Sequence, residues 1–276
     1  MPAELLPPAR TYLFVPGTRP ERFDKALASG ADKVVLDLED AVAADDKATA
    51  RGVVTAWLQS ATPAGRSRIV VRINDANSSW FAADLAAFGD AHGIGVLLPK
   101  AESAEQIAET QAALPGASIL ALIESARGVS EANRIAAAGA QRLVFGTLDF
   151  ALDLDMDITT DASGLGYAAS RIAIASRLAG LPAPVAGVTP QLDDEARLLS
   201  DLADARRLGF GAKLCIHPRQ VQPIHAALRP SAEALDWAQR VLVADAASPG
   251  AARLDGRMVD RPVVLQAHRT LALARD

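Results

Sequence analysis

An α/β fold in which eight parallel strands close into a barrel, followed by a helical extension, is what this sequence predicts. Three observations carry that expectation. Short apolar or β-branched runs alternate with longer Ala- and Leu-rich amphipathic runs. The short runs are apolar throughout, as strands buried on both faces must be. The strand–helix unit recurs eight times in a chain of 276 residues, and a closed (β/α)8, or TIM, barrel typically needs about 250. The competing architecture is an open doubly wound sheet. Its dinucleotide fingerprint has one loose match, Gly164-Leu165-Gly166-Tyr167-Ala168-Ala169, which follows the polar stretch Thr159–Ser163 and no strand.

The first strand is read at Tyr12–Val15 and its helix at Pro20–Ser29. Lys33–Leu36 (KVVL) leads into Asp46–Gln59, and Ile69–Ile73 (IVVRI) into Trp80–His92. Gly95–Leu98 (GVLL) leads into Ala104–Ala113, Ser118–Ile123 (SILALI) into Arg127–Ala138, and Arg142–Phe145 (RLVF) into Leu165–Ala179. The seventh strand, Pro184–Ala186, is hemmed in by Pro182 and Pro184 and precedes Asp193–Leu208. The eighth, Ala212–Ile216 (AKLCI), precedes Pro218–Leu228. Beyond Leu228 the pattern changes to a helix at Ala232–Ala244, a Gly/Pro-punctuated stretch at Ala246–Pro262 and a last helix at Val263–Ala274. Residues 1–228 are therefore expected to form the barrel, and 229–276 an extension of the same domain serving as lid, oligomer contact or cap.

Composition narrows the function. Half the chain is hydrophobic, and 28 Lys and Arg against 33 Asp and Glu give a net charge of −5. Without a basic tract, a nucleic-acid or anionic-membrane surface is not expected. The longest apolar run, Ile119–Ile123, is too short to span a bilayer. Cys215 is the single cysteine, so neither an internal disulfide nor a cysteine-based zinc site is possible. One thiol and an N-terminus without a basic-then-apolar leader fit a cytoplasmic location. Neither a Gly-x-Ser-x-Gly elbow nor a phosphate-cradling Gly-x-x-x-x-Gly-Lys-Ser/Thr is present.

In a βα barrel the active site lies at the C-terminal ends of the strands. Here those ends carry ionisable groups: Asp37 with Glu39 and Asp40, Arg72 with Asn74, Lys100, Glu124, Asp149 and His217. Such a pattern is costly unless the groups share a polar cleft. Glu124 and Asp149 fall on neighbouring strand ends, where two carboxylates repel unless a cation lies between them. Oxygen ligands favour a hard ion such as Mg2+ over zinc. The alternative is that Glu124 caps the next helix and Asp149 forms a loop turn. Arg72 has the forked geometry to hold a substrate carboxylate or keto oxygen, or else pairs with Asp37 or Glu39. Asp37 either touches substrate or supports the loop. Lys100 holds an anion or pairs with Glu102. His217 is read as ordering its turn, His92 and His268 as surface or packing residues on helices, Cys215 as buried packing, and Trp57, Trp80 and Trp237 as helix residues of the core or an interface.

Ordered along nearly the whole chain are the segments Arg10–Gly17 (RTYLFVPG), Asp37–Val42 (DLEDAV), Val71–Asn74 (VRIN), Leu98–Lys100 (LPK), Leu122–Ser125 (LIES), Val144–Asp149 (VFGTLD), Gly211–Pro218 (GAKLCIHP) and Leu254–Pro262 (LDGRMVDRP). This set resembles the citrate lyase β-subunit family, within the wider HpcH/HpaI group of malyl-CoA lyases and 2-keto-acid aldolases. The resemblance implies a TIM barrel that binds Mg2+ through Glu124 and Asp149. It implies a dicarboxylic keto acid such as oxaloacetate held by Arg72 and Glu124, a CoA thioester substrate, and a homotrimer. It places Asp260 in a neighbouring subunit's site, handling a proton on the acyl-CoA carbon, and makes Arg10 and Lys25 candidates for CoA phosphates. Many relatives carry an aspartate near Gly187; this chain, reading Ala186-Gly187-Val188-Thr189 there, does not. The implied reaction is Mg2+-dependent cleavage of a citryl-CoA or malyl-CoA type substrate to acetyl-CoA and a 2-keto acid. The alternatives are a subunit active only in a citrate lyase complex with an acyl-carrier protein, and a CoA-independent aldolase.

Overall fold

The structure is a computed structural model and describes residues 8–90, 92–248 and 252–274. Its strands are β1 (Thr11–Pro16), β2 (Lys33–Asp37), β3 (Ile69–Arg72), β4 (Gly95–Leu98), β5 (Ser118–Ile123), β6 (Arg142–Phe145), β7 (Val185–Ala186) and β8 (Ala212–Cys215). They pair in parallel in chain order, and β1 closes on β8 to complete the barrel. The helices between them are α1 (Phe23–Ala28), α2 (Lys47–Ser60), α3 (Pro63–Arg66), α4 (Phe81–Phe88), α5 (Ala104–Ala113), α6 (Ala126–Ala137), α7 (Thr147–Asp153), α8 (Gly166–Leu178) and α9 (Glu195–Arg207). After β8 come α10 (Val221–Leu228), α11 (Ala232–Ala247), the strands β9 (Ala252–Leu254) and β10 (Arg257–Val259), and α12 (Arg261–Ala272). No described helix is long and apolar enough to cross a membrane.

Successive residues of a strand face opposite sides, and the barrel uses that period to separate core from site. Tyr12, Val35, Val70, Leu97, Leu120, Leu122, Val144, Val185, Ala212 and Leu214 form one cluster that fills the barrel. The residues between them, such as Leu13, Leu36, Val71, Leu98 and Ile123, are also buried and face the helices. Two residues beyond a core residue the chain again points inward, now at the C-terminal mouth. That parity places Phe14 after Tyr12, Asp37 after Val35, Arg72 after Val70 and Glu124 after Leu122.

The same parity works at the other end. Arg142, two residues before Val144, points into the N-terminal end of the barrel and is buried. Its Nε donates to the Ala183 carbonyl at 2.8 Å, and Nη1 to the Ala9 carbonyl at 2.6 Å and the Tyr12 hydroxyl at 3.1 Å. This side chain plugs the barrel floor and ties β6 to β1 and to the approach to β7.

Besides the four-residue helix α3, which the sequence reading did not contain, three elements depart from that reading. The stretch after β6 holds a separate short helix, α7, because seven helical residues are interrupted by the Asp-rich segment Asp153–Asp161 before α8 begins. The helix α4 stops at Phe88, so His92 lies in a turn rather than on a helix. The Gly/Pro-punctuated stretch contains an antiparallel hairpin, β9–β10, turned by Asp255 (φ 49°) and Gly256 (φ 77°). An Asp-Gly pair with both φ positive is the backbone of a two-residue hairpin turn.

The chain divides into two compact units, one of Ala9–Ile224 and one including His225–Asp276. The division falls inside α10, where the sequence reading placed it after Leu228. The second unit has its own core of Ala238, Val241, Ala252, Val259 and Ala267.

Replacing Arg142 by Ala leaves the buried Tyr12 hydroxyl and the part-buried carbonyls of Ala9 and Ala183 without their donor. At about 1–3 kcal/mol for each unsatisfied buried group, partly relieved by water, urea denaturation should show a loss of roughly 3 kcal/mol. A loss under 1 kcal/mol would show that the floor does not depend on this residue.

Candidate active site

Arg72 stands at the end of β3 beside Asp37 at the end of β2, its register partner. The two form a fork: Nε donates to Asp37 Oδ1 at 2.7 Å and Nη2 to Oδ2 at 2.6 Å. The Asp37 carboxylate also accepts from the N–H groups of Glu39 (2.9 Å) and Ala41 (3.1 Å), which winds the loop after β2 around it. That loop presents two more carboxylates to Nη1. Glu39 Oε2 lies 2.8 Å away, at ion-pair distance but off the line of a hydrogen bond, and Asp40 Oδ2 accepts at 3.0 Å. The guanidinium lies over the Phe14 ring, 4.9 Å from its centroid. Lys47, buried on α2, locks the loop from behind by donating to the carbonyls of Leu38 (2.8 Å) and Glu39 (2.7 Å).

Glu124 points into the mouth from β5 and is buried. Its Oε1 accepts from the Lys100 N–H at 2.8 Å. Lys100 adopts φ 46° to aim that N–H, a left-handed conformation that a non-glycine residue rarely takes outside functional sites. Gly146, just after β6, is required by the same packing: a Cβ there would lie 2.5 Å from Glu124 Oε2. Burial, first, and then the neighbouring charges of Glu39 and Asp149 push the Glu124 carboxyl up to about 8. Burial likewise raises Glu39 to about 7, although Arg72 and Lys100 (Nζ to Oε1 3.4 Å) hold it down in part. Asp149 lies in the first turn of α7.

The loops after β2 and β3 enclose a cleft of about 340 Å³ lined by Glu39, Asp40, Lys47, Asn74, Trp80 and Lys100, among others. Asn74 is oriented from the helix layer. Its N–H and Nδ2 both donate to Asp84 Oδ2 (2.8 and 2.7 Å), and Arg51 Nε donates to Asp84 Oδ1 at 2.7 Å. Asp84, Arg51 and Lys47 did not emerge from the sequence reading. The available signal was an acidic residue on the apolar face of α4.

The Arg72 ion pairs with Asp37 and Glu39 are present, so both oxygens of Asp37 are engaged within the chain. Lys100 faces Glu39 rather than Glu102, which instead accepts from the Ser125 hydroxyl at 2.6 Å. Glu124 does not cap α6; Ser125 does, accepting from Gly128 N–H. Asp149 is helical rather than in a loop turn. His217 orders its turn by accepting the Arg219 N–H on Nδ1 at 3.2 Å, and Cys215 is buried. Trp57 lies on α2 against Phe23, Trp237 lies on α11, and Trp80 sits just before α4 with Lys47 Nζ 5.3 Å from its ring centroid. Lys25 is exposed on α1. Asp260 caps α12 by accepting the Val263 N–H. Arg10 is a correction: it precedes β1, and the parallel strands put it at the barrel's N-terminal end, away from the mouth that holds Arg72 and Glu124. Its backbone N–H is fixed there by Asp32 at 2.7 Å.

Among the described residues no group of three or more His, Cys, Asp or Glu can hold a metal ion. Mg2+ needs only one or two protein carboxylates, with water and substrate oxygens completing its shell. Glu124 and Asp149 would supply that number of carboxylates, and Glu124, raised first by burial and then by the charges of Glu39 and Asp149, fits a position beside a cation.

An α/β barrel with buried carboxylates and an arginine converging at its C-terminal mouth is the architecture of an enzyme. Residues 10–218 match the family described as HpcH/HpaI aldolase/citrate lyase, and the chain belongs to that family. It is 39% identical over 271 residues to a citrate lyase subunit beta-like protein of Mycobacterium tuberculosis, covering 96% of this chain and 95% of the relative. It is 33% identical over 272 residues to a (3S)-malyl-CoA thioesterase of Cereibacter sphaeroides, covering 97% and 95%. Among solved structures, the M. tuberculosis protein CitE in complex with magnesium, acetoacetate and coenzyme A superposes with a TM-score of 0.85 at 37% identity, covering 97% of this chain and 98% of that one.

The raised Glu124 carboxyl has a stability consequence. Its folded value of about 8 lies above the ordinary 4.5, so the folded state binds more protons across that window and stability falls as pH rises through it. Glu39 adds to the slope with the same sign. Glu124→Gln keeps the acceptor for Lys100 and removes the charge. In EDTA it should match the parent near pH 5 and exceed it at pH 8 by urea denaturation; lower stability than the parent at pH 8 would contradict the assignment.

Proposed function

We propose that the chain is a Mg2+-dependent carbon–carbon lyase that cleaves a 3-hydroxyacyl-CoA of the citryl-CoA or malyl-CoA type to acetyl-CoA and a 2-keto acid. The observation that carries this reading is the convergence, at one barrel mouth, of the Glu124–Asp149 carboxylates and the Arg72 guanidinium. Glu124 and Asp149 are the residues that would hold Mg2+. Bound there, the ion would polarise the carboxylate and hydroxyl oxygens of the substrate and lower the hydroxyl pKa. Arg72 holds the substrate carboxylate in register, with Asp37 fixing the guanidinium from behind. Lys100 adds positive charge at the rim. Cleavage breaks the bond between the hydroxyl-bearing carbon and the acyl α-carbon. The hydroxyl gives up its proton to water, its carbon becomes the keto carbon, and the electron pair of the broken bond goes to the thioester fragment as an enolate. Asp260 of a neighbouring copy donates the proton that completes acetyl-CoA and accepts it in the reverse direction. Lys25 is retained as a contact for CoA phosphate; Arg10 is not.

A homotrimer accompanies this reading. Tyr167, Ile174 and Leu178 are exposed large apolar residues that recur along α8 at helical spacing, and such a patch suits burial against a second chain. A cytoplasmic site of action completes the proposal. The alternatives are a subunit acting only with an acyl-carrier partner and a CoA-independent aldolase. Thioester hydrolysis by the same site is favoured by the likeness to the malyl-CoA thioesterase.

The purified chain should release keto acid from one of citryl-CoA, malyl-CoA or methylmalyl-CoA, with EDTA abolishing turnover. Glu124→Ala should remove activity and Mg2+ binding together. Asp260→Asn should cost about 10²- to 10⁴-fold in kcat, the usual worth of a positioned proton donor, with Mg2+ affinity unchanged. Turnover of free hydroxy-keto acids alone would overturn the CoA assignment. Silence on every CoA thioester, with activity restored by an acyl-carrier protein, would overturn stand-alone function. Appearance of free CoA thiol from malyl-CoA would identify hydrolysis.

A further inference from the structure

The Arg72 side chain is 10% exposed and its guanidinium is paired with three carboxylates. Asp37, whose side chain is 1% exposed, covers Nε and Nη2 and is itself fixed by two backbone N–H groups. Phe14 covers one face. Glu39, 9% exposed, lies 2.8 Å from Nη1 and is paired with Lys100. Nη1 also pairs with Asp40, whose carboxylate is 60% exposed at 3.0 Å and has no other hydrogen-bond or ion-pair partner among the described residues. Both Glu39 and Asp40 line the open cleft. Of the three carboxylates paired with Arg72, Asp40 is the one that is largely exposed, so it is the one that a carboxylate from solvent can exchange with.

We propose that Asp40 is a placeholder carboxylate that occupies the substrate's position on Arg72 Nη1 and must be displaced for an anionic substrate to bind, which makes Asp40 a determinant of affinity and selectivity at this site. The inference rests on the reading of Arg72 as the substrate-carboxylate contact. The exchange replaces one carboxylate by another. Releasing Asp40 costs little, because an ion pair with an exposed partner is weak and the freed carboxylate is resolvated by water. Releasing Asp37 would strip a buried carboxylate of its paired cation, which is far more costly. A ligand gains net affinity only through what its carboxylate adds beyond Asp40, so a ligand without a carboxylate has little with which to displace it. Removing the competing charge thus strengthens binding, the reverse of what loss of a substrate contact would do.

The test is calorimetric binding of oxaloacetate to Mg2+-saturated protein. Asp40→Asn preserves the shape of the side chain and weakens its hold on Nη1; it should tighten Kd about three- to tenfold. Asp75 lines the same cleft without pairing with Arg72, and Asp75→Asn, which removes the same charge, should change Kd less than twofold. Unchanged or weaker binding by Asp40→Asn would overturn the proposal. So would an equal gain from Asp75→Asn, which would trace the effect to the general field of the cleft. Arg72→Lys, which keeps the charge and loses the fork, should weaken binding in both the parent and the Asp40→Asn background. Parent-like binding by Arg72→Lys would overturn the underlying reading of the site, separately from the Asp40 result.

Discussion

The Arg72 guanidinium is the cation on which the site depends. Three carboxylates, Asp37, Glu39 and Asp40, come from the end of β2 and the loop after it, and without a shared counter-charge they would not lie so close together. The strand period puts Arg72 and Asp37 side by side facing the mouth. Their fork then sets the loop, because Asp37 accepts from the N–H groups of Glu39 and Ala41. Lys47 closes the same loop from the helix layer. A buried pair of this kind contributes little net stability over an apolar replacement. Its effect here is to fix where the other ionisable groups stand.

Glu124 lies on the unfavourable side of that balance. It is buried, faces the negative charge of Glu39 and Asp149, and is supported by a backbone N–H from a residue held in the left-handed region. Gly146 allows the approach, since any larger residue would collide with the carboxylate. The chain thus keeps a destabilising group at the end of an otherwise apolar strand, and the barrel core offsets the cost. Such an arrangement is expected where a charged ligand completes the site.

Much of this was legible in the sequence because the barrel obeys simple periods. Apolar runs gave all eight strands. The polar residue closing each run gave Asp37, Arg72 and Glu124, since two-residue alternation carries directly from core to mouth; Lys100, three residues after core Leu97, closes its run but lies off that period. Asp149 was located, but its helix was not, because α7 is only seven residues long and the Asp-rich segment after it hides the helical period. The hairpin β9–β10 was missed although Asp255-Gly256 announces its turn, because its three-residue strands are too short to show alternation. Arg51 and Asp84 act through a hydrogen bond between helices 33 residues apart, for which the acidic residue on the apolar face of α4 was the one local signal, and Lys47 acts on the loop that precedes its own helix. Arg10 was grouped with the site by its neighbourhood in a motif, whereas strand direction places it at the opposite end of the barrel.

The central claim is that the Glu124 carboxyl, raised by burial and like charge, is completed by a divalent cation. Proton release on Mg2+ binding tests it most directly, because a metal ligand must give up its proton. Calorimetry at pH 6.5 in buffers of different ionisation enthalpy should show Mg2+ binding with release of close to one proton per chain, and Glu124→Gln should lose the release and most of the affinity. Binding without proton release, or release that persists in Glu124→Gln, would contradict the account.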